Sequence, residues 1–264
     1  GAIGLWFINA GKAFFDDFDA YGSGSSIAGQ GGWEVWYTGG NDGLVSSDHA
    51  ASGSNSLRLA AFSDIVHRFS ATSGRWRFST NVYIPSDATG DTREMFVILL
   101  NQYGGPDNWS VQTRFSLDDG VIESQFGGQT TGLTPDRWIN FKAEIDLDND
   151  NLDILIDDVL LVDDARWTTN VSGNGILEIA ACDLYSNGIE GAYLDDVRLE
   201  EMGPAGCPAD FNGDGFLDFF DYGDYVECFE TGVCPPGRTA DFNGDGFADF
   251  FDYGDFVGAF ETGC

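Results

Sequence analysis

The residues best placed to do chemistry lie near the end of the chain. Residues 210–221 read DFNGDGFLDFFD and residues 241–252 read DFNGDGFADFFD. Oxygen-bearing side chains recur at positions 1, 3, 5, 9 and 12 of each segment. In the first they are Asp210, Asn212, Asp214, Asp218 and Asp221; in the second, Asp241, Asn243, Asp245, Asp249 and Asp252. Gly215 and Gly246 fill position 6, where the chain must turn sharply. Phe216 and Phe247 fill position 7, which offers only a backbone carbonyl. Carboxylate, amide and carbonyl oxygens at this spacing wrap a hard cation of calcium's size, whereas magnesium keeps its water and suits such a cage less well. The expected cofactor is therefore two calcium ions, one per loop. The two segments lie 31 residues apart and agree at eleven of twelve positions, which marks a duplicated unit.

This is EF-hand spacing, with Asp instead of the usual Glu at position 12. The pattern D-x-N-x-D-G-x-x-x-x-x-D, followed by a short helix and then duplicated, resembles the dockerin module. The resemblance covers residues 207–264. It implies that each loop leads into a helix, over about 218–230 and 249–261. It also implies that calcium folds the module and that the module plugs into a β-sandwich partner. Dockerins read that partner with positions 10 and 11, commonly small hydroxyl residues. Here those positions are Phe219-Phe220 and Phe250-Phe251. Two readings follow: one phenylalanine of each pair packs the module's own core, or the pairs form an apolar docking patch. The module carries 13 acids against one base, Arg238, so any partner meets a strongly negative surface.

Four of the five cysteines, Cys207, Cys228, Cys234 and Cys264, fall in this module. Without C-x-x-C spacing or a nearby histidine they read as disulfides rather than zinc ligands, which points to an oxidising, extracytoplasmic setting. Three pairings are open. The preferred one clasps the ends through Cys207–Cys264 and closes the turn between repeats through Cys228–Cys234. Cys182 then remains a buried free thiol.

The elements that carry this module are of another kind. Before a break at residues 203–206 the chain alternates apolar and polar residues, as in 56–62, 75–84, 94–102, 109–117, 137–147, 152–162, 175–185 and 192–199. Turn-forming clusters of Gly, Asn, Asp and Pro separate these stretches, and no sustained helical period appears. The expected fold is mainly β: a two-sheet antiparallel jelly-roll sandwich over 14–202, a linker at 203–206, and a small α-helical calcium-loop module over 207–264. The openings DDFDAY (16–21) and QGGWEVW (30–36) and the closing YLDDVRL (193–199) resemble the concanavalin A-like and laminin-G-like jelly rolls of secreted bacterial proteins. Such folds bind sugars, cleave them or serve as adhesive modules. The resemblance also implies that Asp16, Asp17, Asp195 and Asp196 could hold one more, structural, calcium.

For sugar binding the candidates are Trp33, Trp36, Tyr37, Tyr103 and Trp109, the last two flanking Gly-Gly-Pro-Asp-Asn. For glycan cleavage the anchor is Glu144-Ile145-Asp146-Leu147-Asp148, which resembles the acid-bearing strand of jelly-roll β-glucanases. The competing reading has Phe141, Ala143, Ile145 and Leu147 facing the core and these acids facing water. With no other nucleophile signature, the expectation is a non-enzymatic protein.

The 264 residues carry 44 acids and 12 bases, a net charge of −32, with only two lysines. That excludes nucleic-acid phosphate and disfavours anionic membrane as partners. Aromatic residues make up 14% of the chain, too many for disorder. Residues 2–8, AIGLWFI, are apolar but too short to span a membrane. They are expected to pack as a strand, on their own sandwich or on a neighbour's; the tail of a secretory leader would read similarly. Strand addition through Ile3, Leu5, Trp6, Phe7 and Ile8, together with docking by Phe219, Phe220, Phe250 and Phe251, would build an extracellular filament or surface layer from copies of the chain. The alternatives are a lectin-like module attached to a scaffold protein by its dockerin-like part and, third, a jelly-roll glycanase.

Overall fold

Period-two patterning decides the larger part of the structure, a computed structural model that describes residues 14–168, 175–204 and 206–264. Along Trp138–Asp146, Ile139, Phe141, Ala143 and Ile145 are buried and the residues between them are partly exposed. That alternation is what one buried face of an antiparallel sheet requires. Among the described residues it yields β1 (Phe14–Asp16), β2 (Trp33–Val35), β3 (Leu44–Ser46), β4 (Ser56–Leu59), β5 (Asp64–Ala71), β6 (Arg75–Tyr83), β7 (Glu94–Gln102), β8 (Asn108–Ser116), β9 (Val121–Ser124), β10 (Thr130–Gly132), β11 (Trp138–Asp146), β12 (Asn151–Ile156), β13 (Val159–Ala165), β14 (Ile179–Asn187) and β15 (Ala192–Met202).

These strands form two antiparallel sheets packed as a sandwich. One runs β13-β12-β11-β6-β15-β4-β3, with β1 paired to β15; the other runs β10-β9-β8-β7-β14-β5-β2. The inner faces share one core, in which Trp33, Phe78, Phe115, Phe141 and Trp167 are almost wholly buried. Burying each such side chain contributes about 1.5–3 kcal/mol. The mainly β, two-sheet fold read from the sequence is the fold observed.

One expected strand divides. Residues 152–162 form β12 and β13, because Asp157 and Asp158 turn the chain at φ 51° and 62°. Two consecutive left-handed residues make the tight hairpin turn whose twist suits flanking strands. The run 175–185 becomes a strand only from Ile179.

β7 departs from one-sided burial. Met95, Val97 and Leu99 join the main core, while Phe96, Ile98 and Leu100 point to the sheet's outer face and are also buried. An outer face is normally polar. Here Trp36, Tyr103, Trp109 and Tyr185 pack over it in a second apolar cluster.

A separate compact unit begins at Glu201. Its helices are α1 (Phe219–Thr231) and α2 (Phe250–Thr262). Each starts with a capping box. Asp218 accepts from Phe220 N while Asp221 accepts from Asp218 N, and Asp249 and Asp252 repeat the arrangement. Loop positions 9 and 12 are therefore also the N-cap and third residue of a helix, which satisfies its orphan N–H groups. Gly232 and Gly263 end the helices at φ 73° and 76°, the left-handed cap that glycine adopts without strain. Tyr225 stacks on Phe256 at 3.9 Å between centroids, with Phe211 edge-on to both. The disulfides are Cys207–Cys264 and Cys228–Cys234, and Cys182 is free and buried in the sandwich, as the preferred pairing had it.

No helix among the described residues is long and apolar enough to cross a membrane. Ile3, Leu5, Trp6, Phe7 and Ile8 lie outside the described residues.

Candidate functional site

Two segments far apart in sequence bring four of the five sugar-binding candidates together. Trp36 and Tyr37 follow β2, and Tyr103 and Trp109 flank the β7–β8 connection. Trp36 and Trp109 lie near-parallel at 6.2 Å, Tyr37 stacks on Trp36 at 5.7 Å, and Tyr103 meets Trp36 edge-on at 4.9 Å. Tyr37, at 48% exposure, donates its hydroxyl to Asp107 at 2.5 Å. The other Asp107 oxygen accepts from Gly104 N and Gly105 N, which folds the Gly-Gly-Pro-Asp turn against Tyr37. Arg68 lies over the Tyr103 ring, 4.5 Å from its centroid, and pairs with Glu34 at 2.8 Å. The fifth candidate, Trp33, is 1% exposed and donates Nε1–H to Asp16, so it belongs to the core. Asn108, which opens a glycosylation sequon, is also buried, hydrogen-bonded to Asn101.

An acid pair not singled out from the sequence begins with Asp64, which lies under the Trp36–Asn41 segment. Asp64 and Asp183 sit on adjacent strands β5 and β14 of the outer face, close enough for their charges to act on each other, and each keeps one buried carboxylate oxygen without a hydrogen-bond partner. Asp183 is only 4% exposed. The chain from Trp36 to Asn41 is strapped to Asp64: Trp36 N donates to Asp64 O and Asp64 N donates to Asn41 O, both at 2.9 Å. Gly40 crosses so closely that a Cβ there would fall 2.5 Å from the Asp64 Cβ. Burial pushes the Asp64 carboxyl up to about 6, and burial plus the Asp64 charge holds Asp183 well above the ordinary range.

The folded pair thus keeps protons that the unfolded chain releases near 3.8. Its contribution to stability is complete below that value and falls as pH rises through about 6, Asp183 extending the loss further. Asp183→Asn removes the repulsion. It should raise the melting temperature at pH 8, by the equivalent of about 1 kcal/mol, and leave it unchanged at pH 4. Thermal melts at the two pH values check this; equal shifts at both would contradict it.

The glycanase acids are otherwise engaged. Glu144 binds Arg77 through one oxygen at 2.7 and 3.0 Å. Asp146 accepts from Asp148 N and Asn149 N, and Asp148 accepts from Gly74 N, so both shape the turn after β11. Phe141, Ala143, Ile145 and Leu147 face the core. Two surface clefts of about 190 and 430 Å³ lie along β9–β10 and β12–β13; neither contains the aromatic group or a carboxylate.

The sandwich acids named for a structural cation serve as hydrogen-bond anchors. Asp16 accepts from Phe18 N, Tyr21 Oη and Trp33 Nε1. Asp195 accepts from Ala51, Ser52 and Asp196 N, yet its burial still raises its carboxyl to about 6. Asp17 accepts from Asp19 N, and Asp196 from Ser52 Oγ and Asn81 Nδ2.

In the C-terminal loops the sequence-named donors keep their order. Asp210 accepts from Gly213 N and Gly215 N, Asn212 from Asp214 N, and Asp214 from Phe216 N; Asp241, Asn243 and Asp245 repeat these bonds. Asp221 and Asp252 are fully buried, each accepting from positions 3 and 9 of its loop. Burial raises the Asp221 carboxyl, with Asp210 and Asp214 adding repulsion. In Asp252 the N–H donors win, Phe242 N among them, and its carboxyl lies below the usual range. Among the described residues no three His, Cys, Asp or Glu side chains already converge as a ligand group, in the sandwich or in the loops. The fit to calcium lies in the donor chemistry: four carboxylates, an amide oxygen and a backbone carbonyl per loop, one of the carboxylates being buried where a cation would relieve it.

The phenylalanine pairs do not pack the module core. Phe219, Phe220, Phe250 and Phe251 are 77, 71, 78 and 73% exposed. They occupy the first two residues of each helix, while the core is built by Phe211, Tyr225 and Phe256. This overturns the reading in which one phenylalanine of each pair packs the module's own core.

No protein-family model and no curated protein matches the chain. Among solved structures it is similar to a sialidase, at 15% identity and a TM-score of 0.49 over 87% of this chain and 21% of that one. It is also similar to the T. cruzi calreticulin globular domain, at 12% identity and a TM-score of 0.44 over 95% of this chain and 96% of that one. A third is the carbohydrate binding module CBM66 from Bacillus subtilis, at 15% identity and a TM-score of 0.39 over 68% of this chain and 96% of that one. The chain spans about a fifth of the length of the sialidase.

Proposed function

We propose that the chain is a secreted, non-catalytic carbohydrate-binding sandwich, carried on a calcium-folded module that docks it to a protein partner. The observation that carries the first part is the convergence of Trp36, Tyr37, Tyr103 and Trp109 around Asp107. Sugar rings present C–H faces that pack on aromatic planes and hydroxyl edges that need polar partners, and this site offers both. A non-catalytic role is supported by the engagement of Glu144, Asp146 and Asp148 in an ion pair and a turn. The two disulfides suit an oxidising, extracellular setting.

The docking role is supported by four exposed phenylalanines at matched positions of two helices. Large apolar side chains held in water by a small, highly charged module mark an interaction surface. A sandwich on a separate scaffold fits this role, and so does the sandwich of another copy, which would give the filament. Light scattering of the intact protein with calcium separates them: a monomer assigns the surface to another protein, and a large species lost in Phe219→Ser/Phe250→Ser assigns it to self-assembly.

Carbohydrate binding is tested by titrating soluble glycans into the full chain and into Trp109→Ala and Tyr37→Ala. A central aromatic anchor contributes about 2 kcal/mol, so each variant should bind roughly 30-fold more weakly. Exposed Tyr37 serves as the control if Trp109→Ala disturbs the fold. Unchanged affinity in both variants would contradict the proposal.

A further inference from the structure

The charges around the aromatic site point to the class of glycan it takes. Glu34 pairs with the Arg68 that covers Tyr103, Asp107 binds Tyr37, Asp64 lies under the Trp36–Asn41 strap, and Asp183 lies beside Asp64. The cations of that outer face are spent. Arg68 gives both Nε and a terminal nitrogen to one Glu34 oxygen while covering Tyr103. Arg114 is shared among Glu94, Asp119 and Glu123. The tyrosines register the same field: Tyr37 is raised by its bond to Asp107, Tyr103 by burial and Glu34, and Tyr185 by burial with Asp64 and Asp183.

Resting on the carbohydrate-binding reading, we propose that the ligand is a neutral glycan and that uronate or sulfate polysaccharides are rejected by charge. Among the described residues, a polyanion reaching Tyr37 or Trp109 would meet Glu34 and Asp107 beside the already ion-paired guanidiniums of Arg68 and Arg114, on a protein whose net charge is −32. Like-charge juxtaposition of this kind is how binding sites exclude wrong partners. A neutral chain meets no such penalty, and its hydroxyls can use Asp107, Glu34 and exposed backbone groups of the turn as acceptors and donors. Attraction then comes from ring stacking, which salt does not screen, so affinity for the neutral chain should be insensitive to ionic strength.

Affinity electrophoresis of the intact protein tests this with a neutral β-glucan, a neutral mannan, a polyuronate and a sulfated galactan, each at low salt and at about 0.5 M salt. The expected result is retardation by a neutral polymer, equal at both salts and lost in Tyr37→Ala, with at least tenfold weaker retardation by the polyanions at low salt. Retardation by a polyanion equal to or stronger than by the neutral polymers, and lost in Tyr37→Ala, would overturn the neutral class while leaving the aromatic site standing. Retardation by none of the four, or retardation that Tyr37→Ala leaves intact, would overturn the carbohydrate reading and this inference with it.

Discussion

Removing calcium from the intact chain should melt α1 and α2 and leave the sandwich folded. Each loop places Asp210, Asp214, Asp218 and Asp221, or their repeats, within twelve residues and buries the last of them completely. Bringing like charges together and desolvating one of them is unfavourable without a cation. The module has little to set against that cost. Its core is seven buried residues, three of them aromatic. Units of this size usually depend on a metal or a disulfide. The sandwich has a core that runs unbroken through both sheets, and its one described cysteine is free. Circular dichroism should therefore lose its helical signal on chelation while the near-ultraviolet signal of the sandwich tryptophans persists. Calcium should restore the helices, and Cys207–Cys264 should keep the ends tethered meanwhile, making refolding unimolecular. Helices that survive exhaustive chelation would contradict a calcium-dependent fold.

Phe256→Ala should abolish folding of the same module even with calcium present. Phe256 is fully buried and makes face-to-face contact with Tyr225 at 3.9 Å and edge contacts with Phe211 and Phe242 at 6.1 and 5.5 Å. Truncating a buried phenylalanine costs about 3–5 kcal/mol, which matches the whole stability of many small domains. The matching change at exposed Phe250→Ala should cost under about 0.5 kcal/mol, because water already surrounds that ring. The contrast is read from calcium-saturated melts of the two variants. Equal destabilisation would mean that the exposed phenylalanines are structural after all.

The two helices of the module were legible in the sequence, because the information for them is local. Spacing within twelve residues names the donors, and the same Asp218 and Asp221 that suit a cation also cap α1. The cysteine pairing was not fixed by the sequence, which left three pairings open; the structure shows the preferred one. The sandwich was legible as a class and less so in detail. Alternation announced β11 and its inward Phe141 and Ile145, but a hydrophobic run interrupted by Asp157-Asp158 reads as one strand until the turn is seen. The binding site was half legible. Trp36, Tyr37, Tyr103 and Trp109 could be named as aromatic candidates, yet their meeting depends on β2 and β7 lying in one sheet, which is a long-range fact. The signal that could have separated them from Trp33 is the unbroken apolar run of β7. An apolar outer face needs a cover, and aromatic residues from loops at the same sheet are what covers it. Asp64 and Asp183 left no local trace, because each is an unremarkable polar residue at an outward position of its own strand.

The central claim is that the aromatic group on the outer face holds the sugar. The most direct measurement is the indole N–H spectrum of the nitrogen-15-labelled protein during titration with a neutral glycan that binds. The chain has seven tryptophans, each giving a separate probe. Trp36 and Trp109 should shift with the glycan while the core residues Trp33 and Trp167 stay in place. Binding that leaves Trp36 and Trp109 unmoved would contradict it and place the sugar elsewhere on the molecule.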